Sequence, residues 1–125
     1  AVPGMVARGW GRIINLASQM GQKGGARTAH YAAAKAGVLG LTKSLAREVA
    51  ADNVLVNAIA PGPIETGMLR TLDEASREAK RVAVPLGRFG TPAEVAPTAV
   101  LLASDPGGNL YVGQTLCPNG GDVMP

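Results

Sequence analysis

Two short apolar runs on either side of one long helix constrain this chain more than any other feature. Residues 12–17 and 54–60 are apolar and rich in β-branched side chains, which is typical of parallel strands buried on both faces. Between them, apolar residues from Ala34 to Val49 recur at steps of three or four, which predicts one helix over residues 30–51. A strand, a helix and a second strand in this order predict an α/β fold around a parallel sheet.

Capping and charge patterns predict further elements: a helix over 73–82, a helix over 91–103 and a third strand over 110–116. Thr91-Pro92-Ala93-Glu94 is a strong helix start, with an N-cap threonine, a proline in the first turn and a glutamate three residues on. Pro97 is expected to bend that helix because proline removes one backbone hydrogen bond. Residues 18–28 contain three glycines and are predicted to be a loop.

Composition excludes several classes of protein. The 125 residues carry a formal net charge of +3, and the charges are scattered, so we expect no nucleic-acid partner and no membrane partner. No apolar run approaches the ~18 residues of a membrane span. The single cysteine excludes an internal disulfide framework and fits a reducing compartment, so a cytoplasmic location is expected.

The predicted sheet is small for an independent domain. With three strands, the apolar run at 12–17 keeps one unpaired edge, which is an aggregation hazard in isolation. The chain also begins at Ala1 without an initiator methionine. We therefore expect residues 1–125 to form a single partial domain, with more strands upstream.

Three polar side chains are expected to meet at the carboxyl ends of the strands, where open α/β sheets bind ligands. Ser18 follows the first strand, while Tyr31 and Lys35 lie one turn apart near the start of the long helix. Tyrosine has an ordinary pKa near ~10, and an ammonium group within roughly 4–6 Å favours its phenolate form. This set suits proton transfer to or from a carbonyl or alcohol oxygen, and a nicotinamide cofactor is the natural source of hydride. Each feature taken alone has an ordinary explanation, such as a loop serine or a surface Tyr–Lys contact.

Five motifs in sequence order resemble the short-chain dehydrogenase/reductase family, and they lie at residues 11–18, 31–38, 57–66, 85–96 and 113–121. Tyr31 follows Ser18 by thirteen residues, a separation that fits the family. The resemblance runs over nearly the whole chain. It implies the C-terminal portion of a doubly wound Rossmann-type parallel sheet, with about three strands and flanking helices.

The resemblance also implies roles for individual residues. Tyr31 would be the general acid/base, Lys35 would support it and bind the nicotinamide ribose, and Ser18 would orient the substrate oxygen. Cofactor contacts are implied for Tyr31, Lys35, Pro61, Gly62, Ile64 and Thr66. Substrate contacts are implied for Ser18, Gln19, Thr28 and Met68. No metal is expected, and the cofactor is NADP or NAD.

The implied function is an NAD(P)-dependent oxidoreductase that interconverts a carbonyl and a secondary alcohol. The stretches 32–46 and 85–90 are most similar to reductases of 3-oxoacyl groups on a carrier protein or CoA. Two alternatives stay open: an inactive truncated fragment or interaction piece, and a dehydrogenase of a small sugar, polyol or ketone. No Gly-x-x-x-Gly-x-Gly occurs in residues 1–125, so the cofactor-binding N-terminal half is expected upstream.

Two further features concern association and single residues. The resemblance implies a homo-oligomer, a homotetramer in the family, through helix 30–51, and Ala33, Gly37 and Gly40 suit close helix packing. His30 is interpreted as a solvated residue at the helix start rather than a proton relay. Cys117 is interpreted as a packed thiol.

Overall fold

Strands and helices alternate along the chain, as the sequence pattern predicts. The structure, a computed structural model, describes residues 1–124. Over these residues the β-strands are β1 (Gly11–Leu16), β2 (Val54–Ile59) and β3 (Thr115–Leu116). The α-helices are α1 (Val2–Ala7), α2 (Met20–Lys23), α3 (Ala29–Val49), α4 (Gly67–Arg70), α5 (Glu74–Ala83) and α6 (Pro92–Ala103), and a 3-10 turn over Ala50–Asp52 follows α3.

The three strands form one parallel sheet in the order β1-β2-β3. Gly11 lies opposite Val54 and Leu16 opposite Ile59, while β3 pairs with the last two residues of β2. Both connections are crossovers that contain helices, as parallel strands require. The prediction of an α/β fold with about three parallel strands is therefore confirmed.

The central and edge strands differ in burial. Every residue of β2 is buried, whereas β1 is mostly half-buried and its last residue, Leu16, is 62% exposed. The prediction that the run at 12–17 is buried on both faces was therefore wrong. The reason is position, because β1 lies at the sheet edge and has a neighbouring strand on one side only.

Helix α3 packs on the sheet through its side chains Leu39, Thr42, Ala46 and Val49. Ala46 and Val49 form one buried cluster with the β2 valines, and Leu39 belongs to a second cluster of mainly alanine side chains. Small side chains at these contacts allow the helix to approach the strands closely. A hydrogen bond of 2.9 Å from Asn15 Nδ2 to Thr42 Oγ1 adds a polar link between β1 and α3.

Three local predictions need correction. The expected loop at 18–28 contains the one-turn helix α2, and α4 was not foreseen at all. The expected strand at 110–116 is reduced to the two residues of β3 because Gly113, with a φ of 66°, interrupts the extended backbone. The buried Asn57 side chain bonds to the backbone of this segment instead: its Nδ2 donates to Tyr111 O at 2.7 Å and its Oδ1 accepts from Gln114 N at 2.9 Å.

The predicted helix starts are confirmed. Asp73 caps α5 by accepting a hydrogen bond from Ser76 N at 2.8 Å. The α6 start forms a full capping box between Thr91 and Glu94. The ion pair with Arg88 and the hydrogen bonds from Thr91 hold the pKa of Glu94 at about 2, below its usual range. Among residues 1–124, no helix has the length and apolar character needed to cross a membrane.

Candidate active site

A cavity of about 660 Å3 lies at the carboxyl ends of β1 and β2. This volume is within the usual range for small-molecule sites. Its walls come from the segment after β1, the start of α3, the segment after β2, and the α4–α5 region. All ten site residues predicted from the sequence line it: Ser18, Gln19, Thr28, Tyr31, Lys35, Pro61, Gly62, Ile64, Thr66 and Met68.

Ser18 is placed by the end of the sheet. The backbone around it is fixed by hydrogen bonds from Ala17 N to Ile59 O at 2.8 Å and from Gln19 N to Pro61 O at 3.2 Å. Its Oγ accepts a hydrogen bond from Met20 N at 3.1 Å, at the entry to α2. A hydroxyl that accepts one bond keeps its own O–H free to donate. The Ser18 hydroxyl is therefore held in place and can still donate to a ligand oxygen.

Tyr31 and Lys35 lie on the first turns of α3 and face the same cavity. The Lys35 ammonium donates to Leu16 O at 2.8 Å, which ties the start of α3 to the end of β1. Lys35 Nζ is also 5.8 Å from the centre of the Tyr31 ring. An ammonium group has three donors, so two remain available. The arrangement places a cation beside a phenol that is 40% exposed and open to ligand.

The wall after β2 depends on a close backbone contact. A Cβ added to Gly62 would lie 2.7 Å from Asn119 Cα, so only glycine fits without a shift. Asn119 is itself fixed, because its Nδ2 donates to Val123 O and its Oδ1 accepts from Gly121 N, both at 2.8 Å. The segment after β3 therefore supports the cavity wall from behind.

The residues that line the cavity were only partly predicted from the sequence. Met68, a predicted substrate contact, is 81% exposed on α4. Sequence reasoning missed several lining residues, namely Leu16, Ala17, Met20, Pro63, Leu69, Leu72 and Lys80. The spacing of Leu69 and Leu72 is a weak helical signal that could have placed them, but no pattern pointed Lys80 of α5 toward the cavity. His30 is exposed and also lines the cavity.

The charges around the cavity are one-sided. Lys35 and Lys80 line it, and no aspartate or glutamate is among its described lining residues. The nearby carboxylate of Glu65 is paired with Arg77 at 3.2 Å. Within residues 1–124, no group of three or more potential ligands among His, Cys, Asp and Glu is arranged to hold a metal ion. The cavity therefore favours neutral or anionic ligands.

Comparison with known proteins agrees with this geometry. Residues 1–122 match the model of a family described as enoyl-(acyl carrier protein) reductase. The chain is 50% identical over 121 residues to the 3-oxoacyl-(acyl-carrier-protein) reductase FabG of Vibrio cholerae, covering 97% of this chain and 49% of that protein. It is 51% identical over 122 residues to the reductase of the same name from Pseudomonas aeruginosa, with 97% and 49% covered. It is 50% identical over 122 residues to the acetoacetyl-CoA reductase of Rhizobium meliloti, with 97% and 50% covered.

The extent of these matches matters as much as the identity. The chain spans about half the length of the curated relatives it matches. Within that half, the match includes the strand, helix and wall segments that carry Ser18, Tyr31, Lys35 and Gly62. The chain belongs to the short-chain dehydrogenase/reductase family.

Proposed function

We propose that the polypeptide containing this chain is an NAD(P)-dependent reductase of 3-oxoacyl thioesters, and that residues 1–125 are its catalytic portion. The observation that carries the proposal is the meeting of Ser18, Tyr31 and Lys35 at one cavity, with Lys35 anchored on Leu16 O and close to the Tyr31 ring. In this proposal, upstream residues complete the domain and bind the rest of the dinucleotide. The proposed location of the enzyme is the cytoplasm.

The three side chains divide the proton chemistry. The Ser18 hydroxyl donates a hydrogen bond to the substrate carbonyl oxygen and holds it against the Tyr31 phenol. Tyr31 gives its proton to that oxygen as negative charge develops on it, and Lys35 stabilises the phenolate that is left. General acid catalysis of this kind contributes about 10²–10⁴-fold. In the reverse direction the phenolate accepts the proton of the alcohol.

The cavity suits a nicotinamide cofactor, which supplies or accepts the hydride when it is bound. The wall formed by Pro61, Gly62, Ile64 and Thr66 would hold the nicotinamide end. Gly62 has no side chain at the point where this wall meets Asn119, so the backbone there stays in one tightly packed position. The two remaining donors of Lys35 would bind ribose hydroxyls.

The proposed substrate class is supported from two directions. The relatives are named as reductases of 3-oxoacyl-(acyl-carrier-protein) and acetoacetyl-CoA, both of which are 3-oxoacyl thioesters. The cavity wall opposite Ser18 contains Met68, Leu69 and Leu72, apolar side chains that suit an acyl chain. Lys80 on the same side suits an anionic carrier group.

The same proposal includes self-association through α3. Ala33, Gly37 and Gly40 are exposed on the helix face opposite the sheet, together with Leu41, which is 57% exposed. Neither Gly37 nor Gly40 has a neighbouring atom within 4 Å of an added Cβ. A face of small residues allows a second helix to approach closely, as a homo-oligomer through this helix requires.

The test measures the turnover of a 3-oxoacyl thioester by the polypeptide that contains this chain. The decrease in NADPH absorbance, and in a parallel assay in NADH absorbance, reports the rate. We expect Tyr31→Phe to reduce kcat by at least about 10²-fold, since it removes the proton donor alone. Tyr111→Phe is the matched control, because Tyr111 lies outside the cavity and its hydrogen bonds to Asn57 and Gly108 use backbone atoms. Turnover retained in Tyr31→Phe, or absent from the wild type with both nucleotides, would refute the proposal.

A further inference from the structure

The short helix α2 holds both the hydroxyl and the carbonyl group of Ser18. The Met20 N–H donates to Ser18 Oγ at 3.1 Å, and the Gly21 N–H donates to Ser18 O at 2.9 Å. The helix has four residues, whereas isolated helices shorter than about 12–15 residues are marginal in water. Contacts with the rest of the molecule must therefore keep α2 formed and the Ser18 hydroxyl in place.

One side of α2 packs directly on the backbone of α3. A Cβ added to Gly21 would lie 2.7 Å from the carbonyl carbon of Lys35 and 2.8 Å from Ala36 N, so the two helices are in close contact there. Lys35 itself has a separate anchor, because its ammonium donates to Leu16 O at 2.8 Å. A shift of α2 would therefore affect Ser18 more directly than it affects the Lys35 ammonium.

Two side chains of α2 contact the segment that follows β3. Lys23, the last residue of α2, forms an ion pair with Asp122 at 2.5 Å, and Gln22 Nε2 lies 3.4 Å from Cys117 Sγ. The Asp122 side chain is only 9% exposed, and partly buried ion pairs are screened much less than exposed ones. Asp122 is also fixed by its backbone, whose N–H donates to Asn119 O at 3.4 Å. The segment after β3 is thus a fixed anchor for the end of α2.

We infer that Lys23 and Asp122 are positioning residues for the reduction: their ion pair holds α2, and α2 holds the Ser18 hydroxyl where it can donate to the substrate oxygen. This inference rests on the proposed function. Neither Lys23 nor Asp122 is among the described residues that line the cavity, so both act through Ser18 rather than on the substrate.

The experiment uses Lys23→Met, Asp122→Asn and Lys23→Arg in the full polypeptide that contains this chain. Methionine keeps the length of the lysine side chain without its charge, asparagine removes the negative charge of the partner, and arginine keeps the ion pair. Lys43→Met is the matched control, because it makes the same change at an exposed residue of α3 outside the cavity. The substrate is the 3-oxobutanoyl thioester of N-acetylcysteamine. Its thiol part is uncharged, so a loss cannot come from a contact between Lys23 and an anionic carrier.

We expect Lys23→Met and Asp122→Asn each to lower kcat about tenfold and to change KM by less than about twofold, because a misplaced hydroxyl weakens an interaction made in the transition state. Lys23→Arg and Lys43→Met should keep kcat within about twofold of the wild type. The decisive comparison repeats Lys23→Met in a Ser18→Ala background. The loss should shrink there to less than about twofold, since changes that act through the same group are non-additive.

A second readout does not depend on turnover. The Met20 and Gly21 amides, which are bonded to Ser18, should exchange their hydrogens about tenfold faster in Lys23→Met than in the wild type, as measured by NMR. In Lys43→Met their exchange should be unchanged. Wild-type exchange in Lys23→Met would show that the ion pair does not hold α2, and would overturn the inference.

The kinetic outcomes separate the positioning role from the proposed function. A wild-type kcat in Lys23→Met, or an equal fall with and without the Ser18 hydroxyl, would overturn the positioning role while the reductase function stands. A rise in KM in Lys23→Met that is absent from Asp122→Asn would also overturn it, because the lysine would then contact the substrate directly. Failure of the wild type to reduce the thioester would overturn both together. Should Lys23→Met not fold, as judged by circular dichroism, Asp122→Asn in the same two backgrounds decides the question.

Discussion

The two sides of the cavity are built in different ways. The side with Ser18, Tyr31 and Lys35 rests on β1, α3 and β2, and the whole of β2 is buried. The opposite side, residues 64–90, consists of the short helices α4 and α5, and α5 has no buried residue at all. The groups proposed to move protons are therefore fixed by a packed sheet, whereas the apolar side chains proposed to hold the acyl chain lie on a largely exposed lobe, residues 64–90.

Leu69 and Val84 are the buried apolar side chains of this lobe, and polar contacts connect its helices and loops. Arg77 makes several of these contacts within the lobe. It donates hydrogen bonds to Glu65 at 3.2 and 3.3 Å and to Leu69 O at 3.1 Å, and its guanidinium lies 5.6 Å from the centre of the Phe89 ring. Partly exposed ion pairs stabilise proteins weakly, so the lobe should open more readily than the sheet. We therefore expect mutations of the site residues on the sheet side to lower kcat, and mutations in the lobe to raise KM.

The largest effect is expected for Lys35→Met. Removing the ammonium that faces Tyr31 and anchors on Leu16 should lower kcat by about 10²–10⁴-fold. Lys43→Met removes a lysine from the exposed face of the same helix and should keep full activity. Both variants are measured by steady-state kinetics. Similar losses of kcat in the two variants would contradict the proposed role of Lys35.

The next effect concerns stability on the sheet side. Gly62→Ala forces a Cβ to within 2.7 Å of Asn119 Cα, and overpacking of this kind destabilises by about 1–3 kcal/mol. Gly67→Ala is the control in the lobe, because an added Cβ there meets no atom within 4 Å. In urea unfolding curves, Gly62→Ala should have a lower midpoint concentration than Gly67→Ala. Equal midpoints would show that the wall after β2 is not tightly packed.

A smaller effect is expected for Arg77→Ala. Losing its links to Glu65 and Leu69 should loosen the lobe and raise KM for the thioester several-fold, with kcat little changed. The free energy of unfolding should fall by about 1 kcal/mol or less. A large fall in kcat with unchanged KM would contradict the proposed division between the two sides.

The smallest effect tests the end of the lobe, where Arg88 is paired with Glu94 of α6 at 2.6 Å. Folding lowers the pKa of Glu94 to about 2 from an ordinary 4.5, so the ionised carboxylate stabilises the fold fully above about pH 4.5. This stabilisation is lost as the pH falls toward 2. Glu94→Gln should thus lower Tm by a few degrees at pH 7, and the gap should narrow below pH 4.5. A gap that stays constant down to pH 3 would show that ionised Glu94 does not stabilise α6.

The sheet side was the part that could be predicted from sequence, because its signals are local. The β-branched run of β2, the helical period of α3 and the capping box of α6 each specify an element by themselves. The positions of Ser18, Tyr31 and Lys35 then follow from the rule that open sheets bind ligands at the carboxyl ends of their strands.

Features that depend on distant contacts were not predictable in the same way. The strand at 110–116 was predicted too long because Gly113 interrupts the extended backbone and because Asn57, far away in sequence, bonds to backbone groups that a ladder would have used. The place of Lys80 at the cavity depends on how the exposed lobe folds back, which no periodicity encodes. The ion pair between Lys23 and Asp122 likewise joins residues 99 positions apart in the chain, which no local pattern encodes.

The central claim is that Ser18 and Tyr31 act on one and the same carbonyl oxygen. The most direct test is the kcat/KM of Ser18→Ala, Tyr31→Phe and the double variant on a 3-oxoacyl thioester. Groups that work as a unit are strongly non-additive, so the double variant should be no worse than about tenfold below the poorer single variant. Losses that multiply fully in the double variant would mean that the two hydroxyls act independently, and would contradict the account.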